Sequence, residues 1–325
     1  MSPGIYYGVP MPEYLAMRAV SASLLSAIVD ECPYSAWFQS FLNPATRSED
    51  AAEGEAPEAD DSEASDAGTI AHQILLEGSN DCAMVIDPAD HLGERGAVPK
   101  GWTNKSIRAA RDYAREQGKI PVLPAKMAKV TAMVESAHAF IKSLKKSEPA
   151  VWQMFQFGDG ESEATLVWDD NGTLCRARPD RISNDRRLIV DVKTTLSSAH
   201  PDFFGRTLLR AGYHGSAAFY CRGVTNLFDV ECAYLFLVVE QKPPYLCSLI
   251  GLDPVWMSAG RHRVERGLRT WAACAKAGLW PGYERRACYP ELPGWADARF
   301  EETSEEARTH AMRERMSGIA YGSQA

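Results

Sequence analysis

Residues 178–195 read RPDRISNDRRLIVDVKTT, and in the apolar run LIVDV an aspartate interrupts the pattern and a lysine follows it. Such a run is typical of a strand in the middle of a sheet, where an unpaired charge costs several kcal/mol. Side chains alternate between the two faces of a strand, so Asp191 and Lys193 share one face while Val190 and Val192 share the other. Asp191 therefore needs a partner, either a cationic side chain or a metal ion.

A second aspartate, Asp180, precedes this strand in the same segment. The polar residues 183–185 suit a tight turn between two antiparallel strands. A hairpin brings Asp180 near Asp191, and two carboxylates beside a lysine can hold a divalent cation at one end of a sheet. Spacing alone leaves a second interpretation open, which is a surface hairpin with an ordinary Asp–Lys pair.

The composition indicates a folded globular protein. The chain has 325 residues, of which 45% are hydrophobic, enough for one large domain or two small ones. Its eight cysteines include no C-x-x-C pair, so neither a zinc ribbon nor an obvious iron–sulfur site is indicated. No apolar run approaches the ~20 residues that a membrane span needs, and the N-terminus lacks the pattern of a secretory signal. We therefore expect a cytoplasmic protein without a membrane segment.

The net charge of −8 at first argues against a nucleic-acid partner, because DNA binding depends on contacts between basic side chains and phosphates. However, residues 47–66 contain nine acidic side chains and one basic side chain, so they account for the whole excess and the rest of the chain sums to zero. We predict a disordered acidic insertion at 47–66. It is either a solvated loop, the simpler interpretation, or a DNA mimic that restrains non-productive binding.

The first half of the chain has the periodicity of helices. A capping serine, Ser21, begins one helix, and a short helix that contains His72 is expected at residues 66–78. Further helices are predicted at 104–117 and 124–146. Their basic residues form either a solvated helical face, the more common case, or a contact surface for DNA. These residues are Lys105, Arg108, Arg111, Arg115, Lys126 and Lys129.

From residue 161 onwards the period becomes that of strands. Residues 164–168 and 173–178 flank the turn sequence DDNG and lead into residues 178–195, which predicts a three-stranded meander. The later elements expected are a helix at 211–222, strands at 230–239 and 245–252, and a helix at 254–277. The predicted fold class is α/β (α+β), a central mixed sheet of four to five strands flanked by helices. We expect one domain over residues 1–300 and a charged C-terminal helix or tail at 301–325.

Five features in this order resemble the PD-(D/E)XK nuclease superfamily, which has a restriction-endonuclease-like fold. They are G-T-x-x-H at residues 68–72, the acidic Glu163, R-P-D at 178–180, D-V-K-T at 191–194 and A-A-F-Y at 217–220. More narrowly, the chain is similar to the exodeoxyribonuclease VIII (RecE-like) branch, which is related to the RecB nuclease domain and phage lambda exonuclease. The resemblance covers most of the chain, from residue 21 to about residue 295.

The resemblance implies a metal-dependent catalytic site. Asp180 and Asp191, with the carbonyl of Val192, would hold Mg²⁺ or Mn²⁺. Lys193 would position or deprotonate the attacking water. His72 would complete the metal shell or touch the phosphate, although a lone helical histidine among apolar residues is more often a packed core residue.

The acidic residue on the strand before the R-P-D strand would share a second metal. Glu163 is the favoured candidate for this position, and Glu161, on the same strand face, is the alternative. The residues implied to contact DNA are Tyr220, Ser216, Arg178 and Thr194. The chain departs from the family's Q-x-x-x-Y helix because Ser216 stands at the glutamine position and is too short to reach a phosphate or the lysine. His214 and Gln241 are candidates to substitute for that glutamine.

The function implied is a Mg²⁺-dependent exodeoxyribonuclease. It would degrade double-stranded DNA ends in the 5′ to 3′ direction and supply single strands for DNA recombination and repair. The implied partners are DNA ends, further copies of this chain in a ring and a single-strand annealing protein, and the family suggests a phage origin. Two alternatives stay open: a structure-specific or restriction-type endonuclease with the same site, and a catalytically silent DNA-binding module.

Overall fold

A computed structural model of the chain describes residues 1–44, 59–93, 96–156 and 158–291, and four single positions after residue 300. The chain divides into two compact units, Met1–Gly282 and Tyr283–Ala325. Every helix and strand discussed below belongs to the first unit. The division predicted after residue 300 stays a prediction, because most residues beyond 291 lie outside the described ranges. No helix in the described ranges has both the length and the apolar character of a membrane span.

The first unit begins mainly with helices, continues with a run of five consecutive strands, and ends with three helices and two further strands. The helices are α1 (Met11–Ala16), α2 (Ala22–Asp30), α3 (Pro33–Gln39), α4 (Ala59–Glu77), α5 (Lys105–Glu116), α6 (Pro124–Ser143), α7 (Pro149–Met154), α8 (Pro201–Arg210), α9 (Tyr213–Phe228) and α10 (Pro254–Ala277). The strands are β1 (Gly4–Tyr6), β2 (Ala83–Val85), β3 (Ile120–Val122), β4 (Gly160–Ser162), β5 (Thr165–Asp170), β6 (Thr173–Ala177), β7 (Arg181–Ser183), β8 (Leu188–Thr195), β9 (Ala233–Glu240) and β10 (Cys247–Gly251).

The central sheet has five strands in the order β10-β9-β8-β7-β4. Strand β8 pairs in parallel with β9 along its whole length, and the other neighbours pair antiparallel. Parallel neighbours need a long crossover connection, which helices α8 and α9 provide here. The predicted fold class, a mixed sheet of four to five strands flanked by helices, is confirmed.

The two faces of the central sheet pack against different hydrophobic clusters. Ile189 of β8 belongs to the cluster that includes Phe219 of α9 and residues of α2 and α10. Val190 and Val192 belong to the cluster that includes Ile70 of α4 and residues of α6. Burial of each such side chain stabilises the fold by about 1.5–3 kcal/mol. Strand β8 is therefore anchored from both faces, which gives Asp191 and Lys193 a rigid support.

The predicted three-stranded meander is wrong. Strands β5 and β6 form a separate sheet with β1, and β7 pairs with β8 in the central sheet. The other edge of β6 is occupied by Val20, whose N–H donates to the Leu174 carbonyl and whose carbonyl accepts from the Arg176 N–H, both at 2.8 Å. In addition, Pro179 lacks the N–H that a continued ladder needs. The chain therefore changes sheets between β6 and β7.

Helix α4 is longer than predicted. It begins at Ala59 and not at Asp66, so the C-terminal part of the expected disordered insertion is helical. Alanine is the best helix former, and acidic residues in the first turns are favoured by the helix dipole, which explains how this composition supports a helix. Residues 47–58 of the predicted insertion lie outside the described part of the chain.

Candidate active site

Strand β8 carries a buried ion pair. Asp191 and Lys193 lie on one face, as the alternation predicts, and Lys193 Nζ forms an ion pair with Asp191 Oδ2. The side chain of Asp191 is 8% exposed and that of Lys193 is 26% exposed. The ammonium group also lies 5.3 Å from the ring centroid of Tyr213 on α9. The pairing explains how a carboxylate is tolerated inside an apolar strand.

The β7–β8 hairpin brings the second carboxylate to the same place. Arg181 pairs with Val190, so Asp180, one residue earlier, lies beside the ion pair of β8. Asp180 Oδ2 accepts a hydrogen bond from the Val192 N–H at 2.7 Å. His72 of α4 approaches from another element, with its Nε2 at 2.9 Å from the same oxygen. The structure thus brings Asp180, Asp191 and His72 together; ligation by the Val192 carbonyl stays a prediction.

Glu163 lies at a corner and not on a strand, which corrects the prediction. It stands between β4, which belongs to the central sheet, and β5, which belongs to the second sheet, and its φ is 52°. A positive φ is uncommon outside glycine, and here it turns the chain from one sheet to the other. The Glu163 N–H donates to the Asp180 carbonyl at 3.1 Å, and Glu163 Oε1 lies 3.8 Å from His72 Nδ1.

The three residues His72, Glu163 and Asp180 fit a divalent cation. Each offers one ligand atom, and these atoms lie within 4.8 Å of one another. One imidazole and two carboxylates are donors that divalent cations accept in proteins. The alternative Glu161 lies on β4 and is not a member of this cluster, which favours Glu163. Asp191 is the adjacent carboxylate and is held by Lys193.

The carboxylates of the site differ in the direction in which their pKa values are shifted. Burial, with the charge of Asp180, raises the pKa of Glu163 to about 7 and that of Asp191 to about 6. Burial opposes ionisation of Asp180 as well. However, the hydrogen bond from His72, the charge of Lys193 and the Val192 N–H outweigh burial, so the pKa of Asp180 falls below its ordinary value. The charge of Asp180 raises the pKa values of the other two carboxylates, and a bound cation would favour the ionised form of all three.

The carboxylates raise the pKa values of two basic groups of the site, His72 and Lys193. Burial lowers the pKa of His72, but the hydrogen bond to Asp180 and the charges of Asp180 and Glu163 outweigh burial and raise it overall. Burial likewise opposes the charge on Lys193, yet Asp191 and Asp180 raise its pKa above the ordinary value. Lys193 is therefore a fixed positive charge in this state, suited to donate hydrogen bonds to an anionic substrate.

The G-T-x-x-H sequence has a packing role. A Cβ atom on Gly68 would lie 2.7 Å from Thr194 Oγ1, a distance that real contacts essentially never show. Only glycine therefore lets α4 approach β8 this closely, and the approach brings His72 to Asp180. Thr194 Oγ1 accepts a hydrogen bond from Gln241 Nε2 at 2.9 Å. The predicted DNA contact of Thr194 stays a prediction, whereas its contact with α4 is structural.

Arg178 supports the site from the side of the second sheet. Its guanidinium donates to the Val9 carbonyl at 2.8 Å and to Thr165 Oγ1 at 3.0 Å. It lies 4.2 Å from the ring centroid of Tyr14, and its Nε is 4.0 Å from Glu163 Oε2. These contacts position Arg178 beside Glu163, and the predicted DNA contact stays a prediction.

The predicted DNA-contacting residues of α9 differ in their surroundings. Burial, with the nearby charges of Tyr14 and Asp191, raises the pKa of Tyr220 well above its ordinary value, which places this tyrosine beside the carboxylates. Ser216 is half-buried one turn earlier on the same helix. His214 lies elsewhere, buried with its ring 5.8 Å from that of Trp256, so it does not replace the missing glutamine in the site.

Sequence reasoning missed Tyr234. This residue lies on β9, is 5% exposed, and its hydroxyl forms a hydrogen bond with Asp191. Its ring also packs against Tyr220, with centroids 6.0 Å apart. The apolar run of β9 predicts a strand, but the parallel pairing that sets β9 beside β8 depends on contacts distant in sequence. Tyr213, under the Lys193 ammonium, was missed for a similar reason.

Residues 35–290 match a protein family described as "PDDEXK-like domain of unknown function (DUF3799)". The chain belongs to this PDDEXK-like family. The membership confirms the predicted superfamily, PD-(D/E)XK, whereas the exodeoxyribonuclease VIII branch stays a prediction. The matched range includes every residue placed in the candidate site above, from His72 to Tyr234. No curated protein sequence matches the chain.

A solved structure agrees with this fold assignment. The crystal structure of a proposed exonuclease from Eubacterium rectale resembles the PDDEXK-like domain with a TM-score of 0.52 at 11% sequence identity. The similarity covers 89% of this chain and 97% of that one. An alkaline exonuclease from Laribacter hongkongensis matches at 13% identity, over 59% of this chain and 90% of its own, with a TM-score of 0.23, too low to support an argument. The first comparison shows that the fold extends over most of the chain.

Proposed function

We propose that this protein is a metal-dependent deoxyribonuclease, and that it acts as an exonuclease on the ends of double-stranded DNA. One observation carries the proposal: in a PDDEXK-like domain, His72, Glu163 and Asp180 converge within 4.8 Å of one another. The Asp191–Lys193 ion pair lies beside them on the central strand. A silent module has no need to hold so many charged groups in a partly buried place.

The residues that would hold Mg²⁺ or Mn²⁺ are His72, Glu163 and Asp180. The carboxylate of Asp191 is a fourth candidate ligand. When bound, the cation supplies Lewis acidity and neutralises the charge that develops on the phosphate and the leaving oxygen. Asp180, whose pKa is lowered, is already ionised and ready for a cation. Glu163 and Asp191, with raised pKa values, lose their protons when positive charge arrives.

Lys193 supplies positive charge at the same end of the sheet. Asp191 and the Tyr213 ring hold its ammonium in place. From this position it donates hydrogen bonds to the attacking water or to a non-bridging phosphate oxygen, which orients the reactants. Hydrolysis adds water across one P–O bond: the water oxygen joins phosphorus, and its proton balances the charge on the leaving oxygen.

The finer features of the proposal come from the resemblance to the exodeoxyribonuclease VIII branch. They are digestion in the 5′ to 3′ direction, delivery of single strands to an annealing protein during recombination or repair, and assembly of copies of this chain into a ring. Ring assembly suits a chain whose charge outside residues 47–66 is neutral, since encirclement retains DNA without strong electrostatic attraction.

The test of this proposal is digestion of matched linear and covalently closed circular duplexes by the purified protein. The reactions contain Mg²⁺, Mn²⁺ or EDTA, and Lys193→Ala serves as the control for contaminating nuclease. We expect loss of the linear DNA alone, only with metal, and only with Lys193 present. Nicking of the circle would instead support an endonuclease with the same site. A shift of DNA mobility without any cutting would support the silent module.

A further inference from the structure

An accessory module interrupts the catalytic domain between α4 and α6. Strands β2 and β3 pair in parallel, and α5 forms the crossover between them. The module has its own small core, formed by Ile86, Ile107 and Ala114. Neither the metal-ligand candidates nor Lys193 lie in it. Its presence is therefore not explained by the chemistry of the site.

Helix α5 presents a row of arginines beside its buried face. Ile107 and Ala114 are fully buried, whereas Arg108 and Arg115 are exposed. Arg108, Arg111 and Arg115 are spaced by three and four residues, so their side chains follow one another along the same side of the helix. Arg111 is half-buried and donates to the neighbouring Asp112 carboxylate at 2.9 and 3.0 Å.

Two arginines of this row, Arg111 and Arg115, border a small cleft that residues of α4 and α6 complete. The cleft has a volume of about 130 Å³, and its lining residues include Arg111 and Arg115 of α5, Lys126 of α6, Asp66 of α4 and Trp102. Sites for drug-sized ligands have volumes of about 300–1,000 Å³, so this cleft suits a smaller group. Guanidinium groups from one helix and an ammonium from another are the donors that a phosphate binds.

The cleft lies close to the candidate active site but on another side of α4. Asp66 lines the cleft, and His72 reaches Asp180. Six residues of helix separate Asp66 from His72, which is about 9 Å along the axis of α4. At 3.4 Å per nucleotide, this axial rise alone equals about three nucleotides of a DNA strand, and the path around α4 adds to it. A strand that is cut at the site can therefore continue to the cleft.

We propose that Arg108, Arg111 and Arg115, with Lys126, bind the sugar-phosphate backbone of DNA a few nucleotides from the bond that is cut. The inference rests on the proposed function, because it assumes that DNA occupies the catalytic site. Contacts of this kind carry no sequence information and fix the register of the strand. The module thus acts as a phosphate clamp that holds DNA against α4.

The test compares DNA binding by two matched double variants, in EDTA so that no hydrolysis occurs. Anisotropy of a labelled duplex is measured over a series of salt concentrations. In Arg111→Gln/Arg115→Gln, we expect weaker binding and a slope of log affinity against log salt that is smaller by about 2. Arg266→Gln/Arg269→Gln makes the same charge change at exposed positions of α10. This helix packs in the hydrophobic cluster that contains Ile189 and Phe219, and not in the core of the module. This control should keep the wild-type slope.

A conservative pair distinguishes charge from folding. Arg111→Lys/Arg115→Lys retains both charges, so it should keep the wild-type salt slope and most of the affinity. An Arg111→Gln/Arg115→Gln protein with unchanged slope and affinity would overturn the inference, as would an equal loss in the α10 control. Hydrolysis of bis(p-nitrophenyl) phosphate, which is too small to span cleft and site, should be unchanged in the Gln variant. If the arginines bind DNA but neither the wild type nor any variant cuts it, the proposed function fails, and only the contact between the arginines and DNA stands.

Discussion

His72 Nε2 lies 2.9 Å from Asp180 Oδ2, and this contact joins α4 to the residue that precedes β7. The same carboxylate oxygen accepts the Val192 N–H, so Asp180 is fixed from a helix and from the central strand together. Glu163 is held beside Asp180 because its N–H donates a hydrogen bond to the Asp180 carbonyl. The candidate metal site is therefore built around Asp180.

Replacement of His72 by alanine should weaken Mn²⁺ binding by about 10- to 100-fold, the range known for groups that support a metal site. The loss follows because one of the three converging ligand atoms disappears and Asp180 loses a hydrogen bond. Isothermal titration calorimetry measures the affinity directly. His138→Ala, at an exposed position of α6, is the matched control and should bind Mn²⁺ as the wild type does. Equal affinities for all three proteins would show that His72 is not a ligand.

The affinity for Mn²⁺ should rise as the pH increases from 5.5 to 8. A cation competes with the protons on Asp191 and Glu163, whose pKa values are about 6 and about 7. At pH 5.5 both groups are largely protonated and disfavour the metal, and at pH 8 both are largely ionised. Titrations at a series of pH values, in buffers of different ionisation enthalpy, give the affinity and the protons released. An affinity that does not change over this interval would contradict the assigned ligands.

Lys193→Met should destabilise the metal-free protein, by about 3 kcal/mol at pH 8, because the buried Asp191 loses its cationic partner. The loss should be smaller at pH 5.5. Without Lys193 the pKa of Asp191, already raised, rises further, so the folded state holds a proton that the unfolded chain releases. Stability is then present at low pH and falls as the pH rises through the folded pKa. Urea unfolding at the two pH values measures this difference. A variant with the same loss at both values would refute the ion-pair account.

Gly68→Ala should destabilise the fold by about 1–3 kcal/mol, the usual cost of an overpacked contact. The added methyl group collides with Thr194 Oγ1 and pushes α4 from β8. Mn²⁺ affinity should fall as well, because His72 moves with α4. Thr194→Ala removes the colliding hydroxyl, so the double variant should regain part of both losses. Additive effects of the two substitutions in a double-mutant cycle would show that the contact does not matter.

The sequence alone predicts the part of the site that depends on local rules. Alternation along β8 places Asp191 and Lys193 on one face, and the turn at residues 183–185 brings Asp180 beside them. Both follow from backbone geometry within one short segment. The hydrophobic pattern also predicts the class of fold, since it distinguishes helices from strands.

The features that sequence reasoning missed depend on contacts between distant segments. The prediction of a meander fails because Val20 pairs with the outer edge of β6, and no local sequence pattern predicts this pairing. Glu163 stands at a corner because β4 and β5 join different sheets. Tyr234 reaches Asp191 only through the parallel pairing of β8 with β9. The early start of α4 at Ala59 shows, in addition, that an acidic composition does not exclude a helix.

The most direct test of the account compares DNA hydrolysis by the wild type and by Asp180→Asn at saturating Mg²⁺. Asparagine keeps the size of the side chain and removes the negative charge around which the site is built. The account predicts metal-dependent release of nucleotides from linear duplex DNA by the wild type, and a rate at least about 100-fold lower in the variant, since the group is a direct ligand candidate. Hydrolysis by Asp180→Asn at the wild-type rate, or by the wild type in EDTA, would contradict it.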